Sequence, residues 1–573
     1  MPDFKFFFST SLEDALALDG YHLLQDHVGS HYAQAWDDFD YIVTFQIQRV
    51  TRGKREFFGR TKVLIKGLKN TSQHFRENGK QQGKSFDITE LLDPSSVVSL
   101  AADLDYYQRL EKELKGSAEG FLRQICDASY FRNDYANYSQ WDGFDVSLLR
   151  GGSTALAIID KGRQIAAGRY VPEKEFKFNV AGLPNNFEPI QFRFDKNRRI
   201  GNTNINLLIG RNGSGKSHVL RHLVDQVTGV APSQDKQPYF HKVVVAAYSP
   251  FESFKTENQL SSALGEETLG EEALEKMSQR RLMVNKYAYI GFKDPQGHFS
   301  LDWPKESSAH ALLKILAYDE ENFWRGVTRF ELLFNTLKQS ITFDFVALKD
   351  QGGQSILLSA AEGYAQPSLK SIEERVDVTQ GISFLKERKG EEQPSQVLLS
   401  SGQTIYSYLL PNLVAEVEDE SLVILDEPEL YLHPAMEIAL INMVKTLLKN
   451  TKSNAIVATH SSILAREVER LGVVVLRREE GRTIATPPPF QTFGQSVELI
   501  MGEVFDDYRV RKAFQDSLDV AAEPFASPQT ALESLAGSVG DEALAYLASK
   551  IDDGVVVVER RTGEDAEDPR GQA

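Results

Sequence analysis

The chain has 573 residues, a formal net charge of −17, 41% hydrophobic and 25% charged residues, and a single cysteine, Cys126. That length exceeds one hydrophobic core, so two or three domains are expected in a globular protein with no apolar run long enough to span a membrane. The acidic balance excludes a protein that coats nucleic acid without sequence preference, and one cysteine excludes a disulfide framework or a thiolate cluster. The start carries an aromatic cluster followed by acids, with no small-residue cleavage site, which predicts a cytoplasmic location.

Residues 1–172 read as an N-terminal accessory domain of mixed α/β character. Helical stretches are expected from about Leu12 to Ala35 and from about Val97 to Leu114. His27 and His31 on the first would share a face as two metal ligands do. Val28, however, stands where a zinc hydrolase carries its glutamate, and Gly29 interrupts the pattern. DYIVTFQIQRVT and REFFGRTKVLIKGL are rich in β-branched and aromatic residues and predict two strands joined around Gly53. They carry Arg49, Arg52, Lys54, Arg55, Arg60, Lys62, Lys66 and Lys69, with Glu56 as the segment's single acid. Such a patch suits the solvated face of a hairpin or a contact for DNA or an acidic partner. The aromatic residues from Tyr130 to Trp141 read as core before they read as a base-stacking platform. Asp160, Glu175 and Lys177 loosely resemble the acidic, Glu-x-Lys pattern of a nuclease metal site, which charged sequence often produces by chance.

From about residue 173 to 505 the texture becomes that of a nucleotide-binding domain. FKFNV and IQFRF alternate as strands, and Asn206 to Ile209 form a short apolar strand that runs into GRNGSGKS. This loop comprises Gly210, Arg211, Asn212, Gly213, Ser214, Gly215, Lys216 and Ser217. Beyond it and His218, Val219, Leu220, Leu223, Val224 and Val227 recur at helical spacing. Strand, glycine loop and helix in that order make a P-loop, whose backbone N–H groups converge on phosphate oxygens where a Cβ would block the approach. Lys216 then reaches the β- and γ-phosphates of ATP, and the Ser217 hydroxyl holds Mg²⁺. VVVAAYSPFESF, from Val243, reads as a buried strand and a loop. Residues from about 257 to 396 read as an insertion forming a helical lid, with HALLKILAYDEENFWRGVTRFELLFNTLKQ as its helices and FDFVALKD as a short strand.

Three further segments follow. LSSGQ, containing Ser400, Ser401, Gly402 and Gln403, precedes a predicted helix and makes an anion site without a lysine. Leu422 to Leu425 form a buried strand that delivers Asp426, suited to Mg²⁺, and Glu427, suited to orienting and polarising an attacking water. Ala455 to Thr459 form another strand, ending at His460, a donor toward a γ-phosphate. With LGVVVLRRE these runs predict a mainly parallel sheet covered on both faces. Residues 506–573 read as a helical C-terminal extension ending in an acidic segment, RRTGEDAEDPRGQA, with the composition of a disordered tail.

In this order the segments resemble the ABC-type ATPases: GRNGSGKS as Walker A, LSSGQ as the signature, VILDE as Walker B, and THSS as the switch-histidine segment. DEPELYLHP, Asp426 to Pro434, looks like the SMC, RecF and OLD-like branch rather than the transporters. YSPFESF, YAYIGFKD and PPPFQTFGQS are similar to the ATPase subunits of Septu-type anti-phage systems. The resemblance implies an α/β P-loop domain with ATP and Mg²⁺ as ligands and Lys216, Glu427 and His460 as catalytic residues. It also implies an ATP-dependent homodimer in which Ser400 and Gly402 of one copy complete the P-loop site of the other. A separate nuclease or effector subunit follows from the missing acidic cluster after His460. The expected function is an ATPase controlling a nucleic-acid-directed defence or repair complex. The alternatives are a slow, nucleotide-gated scaffold for a toxin or nuclease, and a transporter's ATPase subunit, which needs a membrane partner. Two departures stand out. Ser401 replaces the first signature glycine, and no glutamine follows Ala247, which leaves Tyr248 or Ser249 at the magnesium-sensing place.

Overall fold

The computed structural model describes residues 4–28, 35, 40–151, 153–170, 175–180, 182–195, 198, 200–201, 204–231, 240–266, 286–322, 328–388, 393–505 and 511–551. The chain divides into two compact units, Met1–Val497 and Glu498–Ala573.

The first unit opens with β1 (Phe6–Phe8), β2 (Gly20–Gln25), β3 (Thr44–Thr51), β4 (Lys54–Ile65), β5 (Lys80–Gln82), β6 (Ser85–Asp87) and β7 (Val97–Ala101), in one sheet of order β5-β6-β1-β2-β3-β4-β7. β3 and β4 form the expected hairpin. Thr51 pairs with Lys54 across a two-residue turn, Arg52-Gly53, and both turn residues have positive φ (53° and 74°). A turn of that hand matches the twist of the flanking strands. Tyr138 and Trp141 are buried in the core of this region, as their aromatic spacing suggests.

Two local expectations fail here. Between Leu12 and Ala35 the helical part is one turn, Leu12–Ala15, and the next element is β2, paired with β1 and β3. Tyr21, His22, Leu23 and Leu24 are all buried, a continuous apolar run that periodicity cannot assign. His27 follows this strand in a turn rather than riding a helix, and His31 lies outside the described residues. Val97–Ala101 is likewise a strand, and the helix begins only at Leu104, where the Asp103 carboxylate accepts the Tyr106 N–H at 3.0 Å as N-cap.

Next come β8 (Phe176–Val180) and β9 (Ile190–Phe194), an antiparallel pair, then β10 (Ile205–Gly210), β11 (Lys242–Ala247) and β12 (Lys286–Gly291). The lid region supplies β13 (Phe345–Lys349), β14 (Ser355–Leu358), β15 (Ile382–Lys386) and β16 (Ser395–Gln396). β17 (Leu422–Asp426), β18 (Asn454–Thr459), β19 (Val473–Glu479) and β20 (Arg482–Thr486) follow. The central sheet has the order β12-β11-β17-β18-β10-β19-β20, parallel throughout except for β20 at its edge. β10, β11 and β17 are buried along their whole length, which is why they read as unbroken apolar runs.

The helical-lid expectation needs correction. YAYIGFKD enters the central sheet as β12, with Tyr287 opposite Val243. The remainder combines helices Trp303–Glu321 and Arg329–Lys338 with a four-stranded antiparallel sheet, β14-β13-β15-β16. Helix Ser401–Glu416 packs against Trp303–Glu321, and the Arg329 guanidinium donates to the carbonyls of Val414, Ala415 and Val417 at its end. That cation satisfies carbonyls a helix leaves unpaired at its C-terminus.

The second unit holds helices Ala513–Ala522, Pro528–Leu535 and Asp541–Ala548 around Leu518, Leu532, Leu544 and Leu547. The tail from Arg560 onward lies outside the described residues.

Candidate active site

Register assembles the site. Ile209 of β10 pairs with Thr459 of β18, and Asp426 of β17 pairs with both Ala458 of β18 and Ala247 of β11. Four loops therefore leave the same edge of the sheet side by side, where parallel α/β sheets bind ligands.

Gly213 (φ 79°) and Gly215 (φ 97°) turn the loop after β10 through the left-handed region. A Cβ on Gly215 would meet the Phe187 ring at 2.7 Å, so no other residue fits there without displacing that ring. Gly215 is the N-cap of helix Lys216–Val227, and no side chain caps it. Its first-turn N–H groups are therefore left for an anion. Ser214 is buried with no hydrogen-bond partner for its hydroxyl. Arg211, Asn212 and Gly213 are exposed, and the His218 ring stands 5.7 Å from Phe187.

Lys216 is 5% exposed, and its Nζ donates to the Gly210 carbonyl at 3.1 Å. The same Nζ lies 3.4 Å from Glu427 Oε1 and 2.5 Å from His460 Nε2, while His460 Nε2 lies 3.0 Å from Glu427 Oε1. One imidazole nitrogen serves one partner at a time: protonated it donates to Glu427, and neutral it accepts from Lys216. Burial pushes the Lys216 pKa down, partly offset by Glu427. The hydrogen bond from His460 holds the Glu427 carboxyl below its ordinary range. Asp426 goes the other way: burial pushes it up to about 6 despite a hydrogen bond with Ser217. Its Oδ1 is buried without a hydrogen-bond partner. An unpaired buried carboxylate oxygen beside a hydroxyl fits a hard cation, so Ser217 and Asp426 suit Mg²⁺.

Ser400 to Gln403 take a different place. The Ser400 hydroxyl accepts the Gln403 N–H at 3.3 Å, and the Gln403 carboxamide oxygen accepts the Ser400 N–H at 3.0 Å, which closes a capping box on helix Ser401–Glu416. The Gln403 amide also donates to the Ser340 carbonyl at 2.7 Å. A Cβ on Gly402 would lie 2.4 Å from the Tyr431 carbonyl oxygen, so the glycine lets the turn after Glu427 rest on this helix end. Among the described residues, no hydrogen bond or ion pair joins Ser400–Gln403 to the Gly210–Ser217 loop.

The loop after β11 yields a residue that sequence reasoning missed. Tyr248 packs its ring edge-on against Phe292, centroids 5.5 Å apart. Glu252 is buried, and it accepts from Tyr289 Oη at 2.7 Å and pairs with Lys293 at 3.0 Å. It is close enough to contribute to the raised Asp426 pKa. The signal was present as the lone acid of YSPFESF.

The basic patch contracts in the structure. Arg49 is held by Glu56 and Glu113, Arg60 pairs with Glu321, and Lys62 donates to the Ser147 carbonyl. Arg52, Lys54 and Arg55 remain exposed at the hairpin tip. Asp160 pairs with Arg132 at 2.8 Å, and no group of three or more His, Cys, Asp or Glu among the described residues is placed to hold a metal ion, so the nuclease-like pattern does not assemble there.

Residues 288–466 match the family described as AAA domain, putative AbiEii toxin, Type IV TA system. The match covers about a third of the chain and likens that stretch to an AAA domain. The matched stretch takes in Ser400–Gln403, Asp426, Glu427 and His460 and leaves out Gly210–Ser217. Over 538 residues the chain is 24% identical to protein ea59 of Escherichia phage lambda, covering 91% of this chain and 94% of that one. It is also similar to the SMC head domain from Thermotoga maritima, at 15% identity over 56% of this chain and all of that one, with a TM-score of 0.26. An ATP-binding cassette of an ABC transporter in its ADP conformation matches at 15% identity, over 57% and 90% of the two chains, with a TM-score of 0.24. Among the described residues, no helix is long and apolar enough to cross a membrane.

Proposed function

We propose that the chain hydrolyses ATP to ADP and phosphate in a site shared by two copies, and that pairing and release of the copies control a nucleic-acid-directed complex. The carrying observation is the convergence of Lys216, Glu427 and His460 on one sheet edge, with Ser400–Gln403 capping a helix start elsewhere on the same chain. The Gly210–Ser217 backbone and Lys216 take the phosphates. Ser217 and Asp426 hold Mg²⁺, which when bound neutralises phosphate charge. Glu427 orients a water, accepts its proton as the oxygen bonds to the γ-phosphorus, and the bond to the bridging oxygen of ADP breaks. His460 donates toward the γ-phosphate, and Ser400 and Gly402 of the second copy close the site.

Residues 1–172 serve as an accessory domain, residues 173–505 as the ATPase, and residues 506–573 as an extension. The Glu420 carboxylate, in the turn before β17, accepts Lys161 Nζ at 2.6 Å and Tyr170 Oη at 2.9 Å, which supports coupling between the first two. The phage-encoded relative supports a role in the conflict between phage and host ahead of one in repair.

The purified chain is expected to release phosphate from ATP and to double in apparent mass on gel filtration with ATP; neither happening would overturn the proposal. A second reading, a slow nucleotide-gated scaffold holding a toxin, is favoured by the description of the matched family. Turnover below about one per minute together with ATP-dependent capture of a second protein would select it.

Direct DNA contact falls to the hairpin tip. Replacing Arg52, Lys54 and Arg55 with alanine is expected to weaken duplex binding and to reduce the salt slope by about 2 to 3. Titration at several salt concentrations checks this, and an unchanged slope dismisses the tip as a DNA contact.

A further inference from the structure

His460 is placed by a residue with no role in the scheme above. Glu429 lies in the turn after β17, and its Oε1 accepts both the Thr459 hydroxyl at 2.7 Å and the His460 backbone N–H at 2.6 Å. Its backbone carbonyl accepts the Leu432 N–H at 2.9 Å, so one residue pins the turn after β17 to the turn after β18. Thr459 Oγ1 in turn accepts the Ser461 N–H at 2.9 Å, and the Ser461 hydroxyl donates to Glu437 of helix Pro434–Thr451. The backbone on both sides of His460 is thus tied to an acid.

Glu429 Oε2 is buried without a hydrogen-bond partner. A side chain needed for packing alone would be better served by an apolar group, since a buried unpaired polar atom costs stability. Groups kept at such a cost concentrate where a site must be held in place.

We infer that Glu429 is a positioning residue for ATP hydrolysis, holding Thr459 and the His460 backbone so that the imidazole stays between Lys216 and Glu427. The inference rests on the proposed ATPase activity. The Glu429 carboxylate binds Thr459 and the His460 backbone, so its loss acts through His460. Burial pushes the Glu429 carboxyl up. An amide of the same shape keeps the accepting oxygen and therefore the clamp.

The test measures kcat, KM for ATP and Tm for the wild type, Glu429→Ala, Glu429→Gln and Thr459→Val, each also combined with His460→Ala. Glu429→Ala is expected to lose about tenfold or more in kcat, with KM within about threefold, because small misplacements of a reacting group are costly in rate. Glu429→Gln is expected to retain at least about a third of wild-type kcat. In the His460→Ala background Glu429→Ala is expected to add nothing, since two residues acting as one unit do not add. Wild-type turnover with Glu429→Ala within twofold of it, or an equal further loss in the His460→Ala background, would overturn the inference alone. Absence of turnover in the wild type would overturn the ATPase reading and the inference with it. Should Glu429→Ala fail to fold, Thr459→Val carries the test: it removes one of the two clamp bonds and is expected to lower kcat about threefold, again with no effect once His460 is gone.

Discussion

Lys216→Ala is expected to abolish measurable ATP turnover, lowering kcat/KM by at least about a hundredfold, while the protein still folds. Among the described residues the ammonium is the one cation placed against Gly210, Glu427 and His460 together, at 3.1, 3.4 and 2.5 Å. A charge-assisted contact to phosphate contributes about 1.5 to 3 kcal/mol, and a cation that makes several while balancing Glu427 accounts for a loss of that size. Stability should move little. The lowered Lys216 pKa means that folding holds this cation at a cost, and its removal relieves that cost. Phosphate release and a thermal melt, run on the same preparations, check both halves. Full activity in the variant would remove the P-loop from the chemistry.

Glu427→Gln is expected to separate binding from hydrolysis. The glutamine keeps the shape and the backbone, including the positive φ of 49° at this position, and loses only the capacity to take a proton. General-base contributions run at about 10² to 10⁴ in rate, so kcat should fall by at least about a hundredfold with ATP affinity kept. Ligand that binds without being consumed shifts the assembly equilibrium by mass action. The variant should therefore persist at twice the monomer mass on gel filtration with ATP, where the wild type returns to monomer as ATP is spent. Wild-type rates in the variant would remove Glu427 from the mechanism, and a variant that stays monomeric with ATP bound would remove the shared site.

Those two residues were legible because each lies in, or at the end of, the loop that follows a contiguous apolar run. Asn206–Ile209, Leu422–Leu425 and Ala455–Thr459 are central strands buried on both faces, and a strand of that kind announces itself over four or five neighbouring residues. Once three such strands run parallel in one sheet, their C-terminal ends must share an edge, and the lysine, the carboxylates and the histidine arrive together.

Elements whose character depends on distant partners were not legible. β2 reads as helix from sequence because its four consecutive buried residues have no period of their own; the strands on either side decide it. β12 joins the central sheet only by pairing with β11 some forty residues earlier, and the short lid strands become a sheet only where the chain returns on itself. Arg49, Arg60 and Lys62 look free in a basic segment until Glu113, Glu321 and the Ser147 carbonyl meet them from far along the chain.

The amino-acid sequence by itself determined the order of the site segments along the chain: a glycine loop between strand and helix, a helix start at Ser400, two carboxylates and a histidine, each carried by a local pattern of a few residues. The tertiary structure alone decided which charges are already paired, that Ser400–Gln403 cap a helix beside Tyr431, and that Glu429 accepts the His460 backbone N–H. Those are contacts between residues tens to hundreds of positions apart, and loop closure over such distances leaves no trace in local composition.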